Sequence, residues 1–275
     1  MQAFKTIGIL GLGKMGLPMA KHLMTHKYSI VGYDPAATAR RAALEAGVRM
    51  VDSAREVAQS AELVFIVVGF DSEVERVIFG ADGVIAGATP GLILALGSTV
   101  APRYTKDLAT RLAARRITLL DIPLTRGEAA AVAGKLLILG AGDEATFERC
   151  RPVFASFASD VFHLGAAGAG QVGKMVNNLI LWACISANDE GLRLGEALGV
   201  DSDKLRAALS HSSAQNWAMS TRAEHSGMPW AEKDMRIALQ EADVARLMLP
   251  LCGVVKETIK GLKIRLGQPM PDIPE

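Results

Sequence analysis

Short unbroken apolar runs alternate along the first part of the chain with stretches where apolar side chains return every three or four residues. The runs at 6–10, 29–33, 49–51, 63–68, 92–96, 118–121, 135–139 and 159–163 read as strands, several apolar throughout as in sheets covered on both faces. Between them, 17–25, 40–45, 53–59, 72–77, 104–115 and 144–154 read as helices, and 123–127 as a loop between strands or half-strands. From residue 171 on only helical periodicity remains, at 171–198, 201–210, 231–247 and 253–262, before a proline-containing tail at 267–275 that is expected to be loose. Alternation followed by pure helix predicts an α/β chain: a doubly wound parallel sheet over 1–163, then an all-helical domain over 164–275, joined by the long helix 171–198.

Residues 165–188 organise the whole. They open as a glycine- and alanine-rich loop and become a helix after Gln171. Over 179–187 apolar residues run around the helix, which predicts burial on every side. Yet the first turns carry Lys174 and Asn178, at i and i+4 on one face. One reading is a cation and an amide opening together onto a site; the other is a snorkelling lysine at a solvated helix end.

Gly11-Leu12-Gly13-Lys14-Met15-Gly16 sits between the first strand and the first helix. In that setting a Gly-x-Gly-x-x-Gly loop provides a tight turn at Gly11, close backbone approach for a pyrophosphate at Gly13 and close helix–strand packing at Gly16, with Lys14 and Met15 in the same loop. The helix N-terminus adds N–H groups and a positive dipole end. Asp34, at the end of the second strand, is spaced to accept from an adenosine ribose hydroxyl, and its charge would repel a 2′-phosphate, so NAD is favoured. It could equally be a turn aspartate before Pro35, and Arg40 or Arg41 could accommodate NADP. Ligands of such sheets bind beyond the carboxyl ends of the strands, where Gly13, Asp34, Gly69, Thr99 and the segment after Asp121 fall.

Composition narrows the partners. The chain has 275 residues, 50% hydrophobic, with 30 basic and 29 acidic side chains and a net charge of +1, a balance that favours neither nucleic acid nor a membrane surface. The cysteines, Cys150, Cys184 and Cys252, are scattered and the five histidines have no metal-ligand spacing, so neither a disulfide framework nor a metal site is expected. No apolar run has the length of a membrane span. The strand beginning at Thr6 leaves no room for a signal peptide, and a cytoplasmic location is expected.

Several motifs occur in one order: the glycine loop, Ser98-Thr99 with Pro102, Asp121-x-Pro123 followed by Gly127 and Ala133-Gly134, Gly168-x-Gly170 followed by Lys174 and Asn178, and Lys233-Asp234. Together they resemble the β-hydroxyacid dehydrogenases, the family of 3-hydroxyisobutyrate dehydrogenase and the tartronate semialdehyde reductases. The resemblance implies a Rossmann domain, a helical domain and a homodimer or homotetramer. It implies that Lys174 is the catalytic lysine and Asn178 the amide that holds the substrate. It assigns Thr125, Arg126 and Gly127 to the substrate carboxylate, Thr99 to the nicotinamide ribose and Lys233 to closure over the cofactor. The chain departs from the family where Ser-Gly-Gly is usual and Thr125-Arg126-Gly127 stands, an arginine in which it is similar to sulfolactaldehyde reductases. A guanidinium suits carboxylate, sulfonate or phosphate, unless it points outward at the surface. Leu96 and Gly69-Phe70 also depart from the usual residues. Leu181 stands where the decarboxylating 6-phosphogluconate dehydrogenases carry an acid, which disfavours that subgroup.

The expected activity is hydride transfer between a nicotinamide cofactor and a small anionic β-hydroxyacid or its semialdehyde, with Lys174 handling the proton. Imine reductases, on a similar scaffold, usually lack the lysine. A non-catalytic dinucleotide-binding module would have no use for Lys174 and Asn178 in register.

Overall fold

The computed structural model describes residues 4–221 and 227–269. The chain divides into two compact units, Met1–Lys174 and Met175–Glu275.

In the first unit the alternating pattern becomes β1 (Thr6–Leu10), α1 (Gly16–Thr25), β2 (Ser29–Tyr33), α2 (Ala37–Glu45), β3 (Arg49–Met50), α3 (Ala54–Ser60), β4 (Leu63–Ile66), α4 (Asp71–Phe79), α5 (Val84–Gly87), β5 (Ile93–Leu96), α6 (Pro102–Ala113) and β6 (Thr118–Asp121). All six strands are parallel, in the order β3-β2-β1-β4-β5-β6. β4 and β5 are buried along their whole length, as their unbroken apolar sequence requires. One face of the sheet packs Ile7, Ile9, Phe65 and Ala95 in one cluster with α1 and residues 147–158; the other packs Val64, Ile66, Leu94 and Leu96 with α3, α4 and α6. Strand order reverses between β1 and β4, which places the glycine loop at the topological switch point.

The chain then builds a second sheet that alternation did not reveal. β7 (Leu124–Thr125) lies antiparallel to β8 (Leu136–Gly140), and β8 parallel to β9 (Ala158–His163). Between β7 and β8, the stretch from Gly127 forms α7 (Gly127–Val132) where no helix was expected, because Ala129 to Ala131 are strong helix formers. α8 (Glu144–Phe154) is capped by Asp143, whose carboxylate accepts from Thr146 N at 2.8 Å. Phe154 and Phe157 pack against Phe65 of β4, and Phe147 against Phe154, so the two sheets share one core.

α9 (Ala169–Ala197) is continuous across the division between the units. It starts two residues before Gln171, within the glycine- and alanine-rich segment expected to be loop. The cause is Asp121, which accepts the N–H groups of Gly168 and Gln171 at 3.1 and 3.0 Å and so satisfies the helix start.

The second unit comprises the rest of α9, α10 (Ser202–Leu209), α11 (Trp217–Thr221), α12 (Ala231–Ala245) and α13 (Pro250–Arg265). α11 was not expected from the sequence pattern. Trp182, Ala231, Met235, Ala238, Cys252, Val255 and Ile259 form the core. Buried Lys263 is paired with Glu232 at 2.9 Å, which satisfies a charge inside it. The expected all-round burial of 179–187 is corrected: Ile180 is 56% exposed, whereas Trp182 and Ser186 are buried, so among the described residues only part of the helix circumference is covered. Of the tail, 270–275 lie outside the described residues.

Candidate active site

The glycine loop leaves β1 with Gly11 at φ 92°, where a side chain would be strained and its Cβ would stand 2.2 Å from Val67 O. A Cβ on Gly16 would be 1.9 Å from Gly11 O. These two glycines are demanded by the turn itself. Gly13 is different: nothing lies within 4 Å of a Cβ there. The open space over its backbone, beside the start of α1, fits a pyrophosphate. Met15 packs against the core, and Lys14 reaches Glu128 of α7 at 3.2 Å across an exposed surface.

Asp34 braces this loop. Its Oδ2 accepts from Leu12 N at 2.7 Å and its Oδ1 from Ala36 N at 2.8 Å. The turn-forming role leaves further acceptor capacity on the carboxylate, because a carboxylate accepts several hydrogen bonds at once. Arg40 is drawn to the end of β3, donating to Val51 O and Asp52 Oδ1, both at 2.7 Å, while Arg41 is exposed.

The loops after β4 and β5 are tied together. Ser98 Oγ accepts from Val68 N at 2.8 Å and donates to Ile66 O at 3.3 Å. Gly69 N and Phe70 N both donate to Glu73 Oε2, at 2.8 and 3.0 Å. Thr99 lies between Ser98 and Val100, and both neighbours are held by Gln171: its Nε2 donates to Ser98 O at 2.9 Å and its Oε1 accepts from Val100 N at 3.1 Å. The same Nε2 donates to Asp121 Oδ1 at 2.9 Å. Burial pushes the Asp121 carboxyl up to about 6, against the lowering effect of the N–H groups it accepts. Sequence reading used Asp121 only as part of a motif and gave Gln171 no role. The signal was an acid ending a buried strand beside a glutamine opening a helix, but the pairing joins positions 50 residues apart.

In the next loop Thr125 is buried and its hydroxyl donates to Leu137 O at 3.1 Å. Arg126 and Gly127 both have φ of 76°, the left-handed region that costs an arginine but not a glycine. Arg126 Nη1 donates to Asp160 Oδ2 at 2.7 Å, Ser159 Oγ at 2.9 Å and Lys135 O at 3.2 Å. The Ser159 hydroxyl and Arg126 hold the exposed Asp160 carboxyl below the usual carboxylate range. Arg126 is thus turned onto β8 and β9, neither at large in solvent nor unengaged.

Lys174 is half-buried on α9, one turn before Asn178. In the second unit Asn178 Nδ2 donates to Asp234 Oδ2 at 2.8 Å and Trp182 Nε1 donates to the same oxygen at 3.0 Å; Asn178 Oδ1 accepts from Asn177 Nδ2 at 2.9 Å. Asp234 was missed as the partner of Asn178, and Trp182 as a second donor to Asp234. Neighbouring Lys233 is buried on α12, its Nζ 5.6 Å from the Trp230 ring centre. Among the described residues no group of three or more His, Cys, Asp or Glu could hold a metal ion. Among the same residues no helix is long and apolar enough to cross a membrane.

A parallel sheet of this order, with a glycine cradle at its switch point, defines a dinucleotide-binding Rossmann protein. Residues 6–165 match the model of the NAD binding domain of 6-phosphogluconate dehydrogenase, and residues 168–270 the model described as NAD-binding of NADP-dependent 3-hydroxyisobutyrate dehydrogenase. The chain is 33% identical over 266 residues to a 3-hydroxyisobutyrate dehydrogenase of Pseudomonas aeruginosa, covering 91% of this chain and 89% of that one. It is 34% identical over 215 residues to an NAD-dependent L-serine dehydrogenase of the same organism, covering 78% and 72%. Its fold is similar to that of the Mycobacterium tuberculosis 3-hydroxyisobutyrate dehydrogenase solved with L-serine, with TM-score 0.85, 27% identity and coverage of 97% and 96%. The chain belongs to the β-hydroxyacid dehydrogenase family, and is accordingly a dinucleotide-binding oxidoreductase.

Proposed function

We propose that the protein transfers a hydride between NAD and a small β-hydroxyacid or its semialdehyde, with Lys174 moving the proton. The observation that carries this reading is Lys174 and Asn178 in register on one face of α9, at the start of a helix anchored beside the Thr99 loop. The bound nicotinamide supplies or takes the hydride. In reduction the Lys174 ammonium donates its proton to the nascent alkoxide; in oxidation neutral Lys174 takes the hydroxyl proton. Asn178, its amide oriented by Asp234, holds the reacting oxygen. Backbone N–H groups at Arg126 and Gly127 receive the anionic end, and Thr125, its hydroxyl committed to Leu137 O, fixes that loop.

Asp34 supports NAD, since a 2′-phosphate would meet its charge while Arg40 is engaged at β3. Relatives named for 3-hydroxyisobutyrate and L-serine support a substrate with a hydroxymethyl group one carbon from a carboxylate. The row Val172, Val176 and Ile180, exposed at four-residue steps on α9, supports a homo-oligomer, which sedimentation would register.

The test is a panel of hydroxyacids and semialdehydes with NADH, NADPH and their oxidised forms, read at the nicotinamide absorbance. Lys174→Ala is expected to lower kcat/KM about 10²–10⁴-fold while leaving NADH affinity near that of the native protein. A variant of nearly full activity would overturn the assignment.

A further inference from the structure

Asp121 and Gln171 form a hydrogen-bond relay in which each donor and acceptor is dictated by the one before. Asp121 ends β6 with no exposed surface. As a carboxylate it can only accept, and its Oδ2 takes the N–H groups of Gly168 and Gln171. Its Oδ1 therefore requires the nitrogen, not the oxygen, of the Gln171 amide. That orientation turns Gln171 Oε1 to Val100 N and leaves the second Nε2 hydrogen for Ser98 O. No hydrogen of the amide is spare. The fit is close: a Cβ on Gly170 would stand 2.9 Å from Asp121 Oδ2. Two segments are gripped at once, the 98–100 loop around Thr99 and the first turn of α9, three residues before Lys174.

We infer that Asp121 and Gln171 are positioning residues for the hydride transfer: their one-way relay sets the Thr99 loop and the Lys174 turn of α9 against each other. The inference rests on Lys174 being the proton-transfer group. Neither residue is assigned a contact with the reacting atoms, so their loss displaces groups without removing any. A displacement of about 1 Å costs about 10²-fold in rate.

Asp121→Asn places an amide where an obligate acceptor stood. Either the new amide opposes its nitrogen to that of Gln171, or Gln171 turns over and gives up both Val100 N and Ser98 O. The expected result is a kcat lower by about 10–100-fold with KM for the hydroxyacid little changed. In the cofactor-free protein, hydrogen exchange at Val100 N–H should accelerate. The decisive variant is the double replacement D121N/Q171E. It reverses the polarity of the link: the introduced amide donates to the introduced carboxylate, which still accepts from Val100 N but gives up the hydrogen bond to Ser98 O, so recovery is partial. It should recover about 10-fold or more in kcat over either single change, with Val100 protected again. A packing role alone would give two losses that multiply. If Asp121→Asn does not fold, Q171M, which leaves Asp121 its backbone donors, carries the same expectation for kcat and exchange. A folded D121N or Q171M with native kcat, or a double variant no better than the product of the singles, would overturn the inference. That outcome is distinct from failure of the Lys174 reading, in which Lys174→Ala itself stays active.

Discussion

Arg126 is the residue at which this chain's chemistry and its backbone pull against each other. Its φ of 76° is one that glycine adopts without cost and that strains an arginine by about 1–2 kcal/mol. Its side chain is bound by Asp160, Ser159 and a backbone carbonyl, which offsets the strain and points the guanidinium at β9. We propose that a substrate anion exchanges with Asp160 for this guanidinium. Arg126→Gly tests the side chain almost alone, because the backbone conformation already suits glycine. KM for carboxylate- or sulfonate-bearing substrates should rise about 10–100-fold, and for uncharged aldehydes much less. Equal losses for both would mean that Arg126 only pins the loop to β9.

At the scale of the element, the turn from β1 into α1 separates glycines that shape the fold from the one left open to ligand. Gly16→Ala pushes a Cβ to 1.9 Å from a backbone oxygen that cannot move away without opening the turn. It should destabilise the protein by about 3 kcal/mol or more and abolish dinucleotide binding together with it. Gly13→Ala meets nothing within 4 Å. Its melting temperature should stay close to the native value while NADH affinity, followed by nicotinamide fluorescence, falls. If Gly13→Ala binds NADH normally, the pyrophosphate does not lie over that position.

Across the whole molecule, titration pulls stability in two directions. Glu75, Asp143, Glu148, Asp160 and Glu257 have carboxyls held below their usual range by hydrogen-bonding partners. Their contribution is present at neutral pH and is lost as pH falls through their lowered folded values. Asp121 works oppositely. Folding raises it from about 3.8 to about 6, so between these values the folded chain binds more proton than the unfolded chain. Its contribution to stability therefore falls as pH rises through that window, by up to about 3 kcal/mol. The measurement is urea unfolding of the native protein and Asp121→Asn between pH 4 and pH 7, comparing the two curves. The native protein should lose stability relative to the variant as pH rises toward about 6. Parallel curves would mean that Asp121 is not raised.

The sequence by itself determined the parallel sheet, the glycine cradle and the one-sided register of Lys174 and Asn178. These rest on local regularities, apolar runs, a strand–glycine–helix junction and the helical repeat, each written within a few consecutive residues. The helix α7 escaped notice because Gly127 reads as a breaker, although Ala129 to Ala131 continue the helix once it has begun. Tertiary structure alone decided what those residues touch. The second sheet depends on antiparallel pairing of Thr125 with Leu137 across an intervening helix. Asp34 is seen to brace the glycine loop only when Leu12 N is brought to it, and Asp234 meets Asn178 from 56 positions away. Sequence left Arg126 either aimed at substrate or turned outward, and only the fold brings Asp160 of β9 to its guanidinium. The physical reason is common to all four: hydrogen-bonding and ion-pair partners are chosen by proximity in space and by unsatisfied donors under burial, and neither quantity is carried by the spacing of residues along a chain.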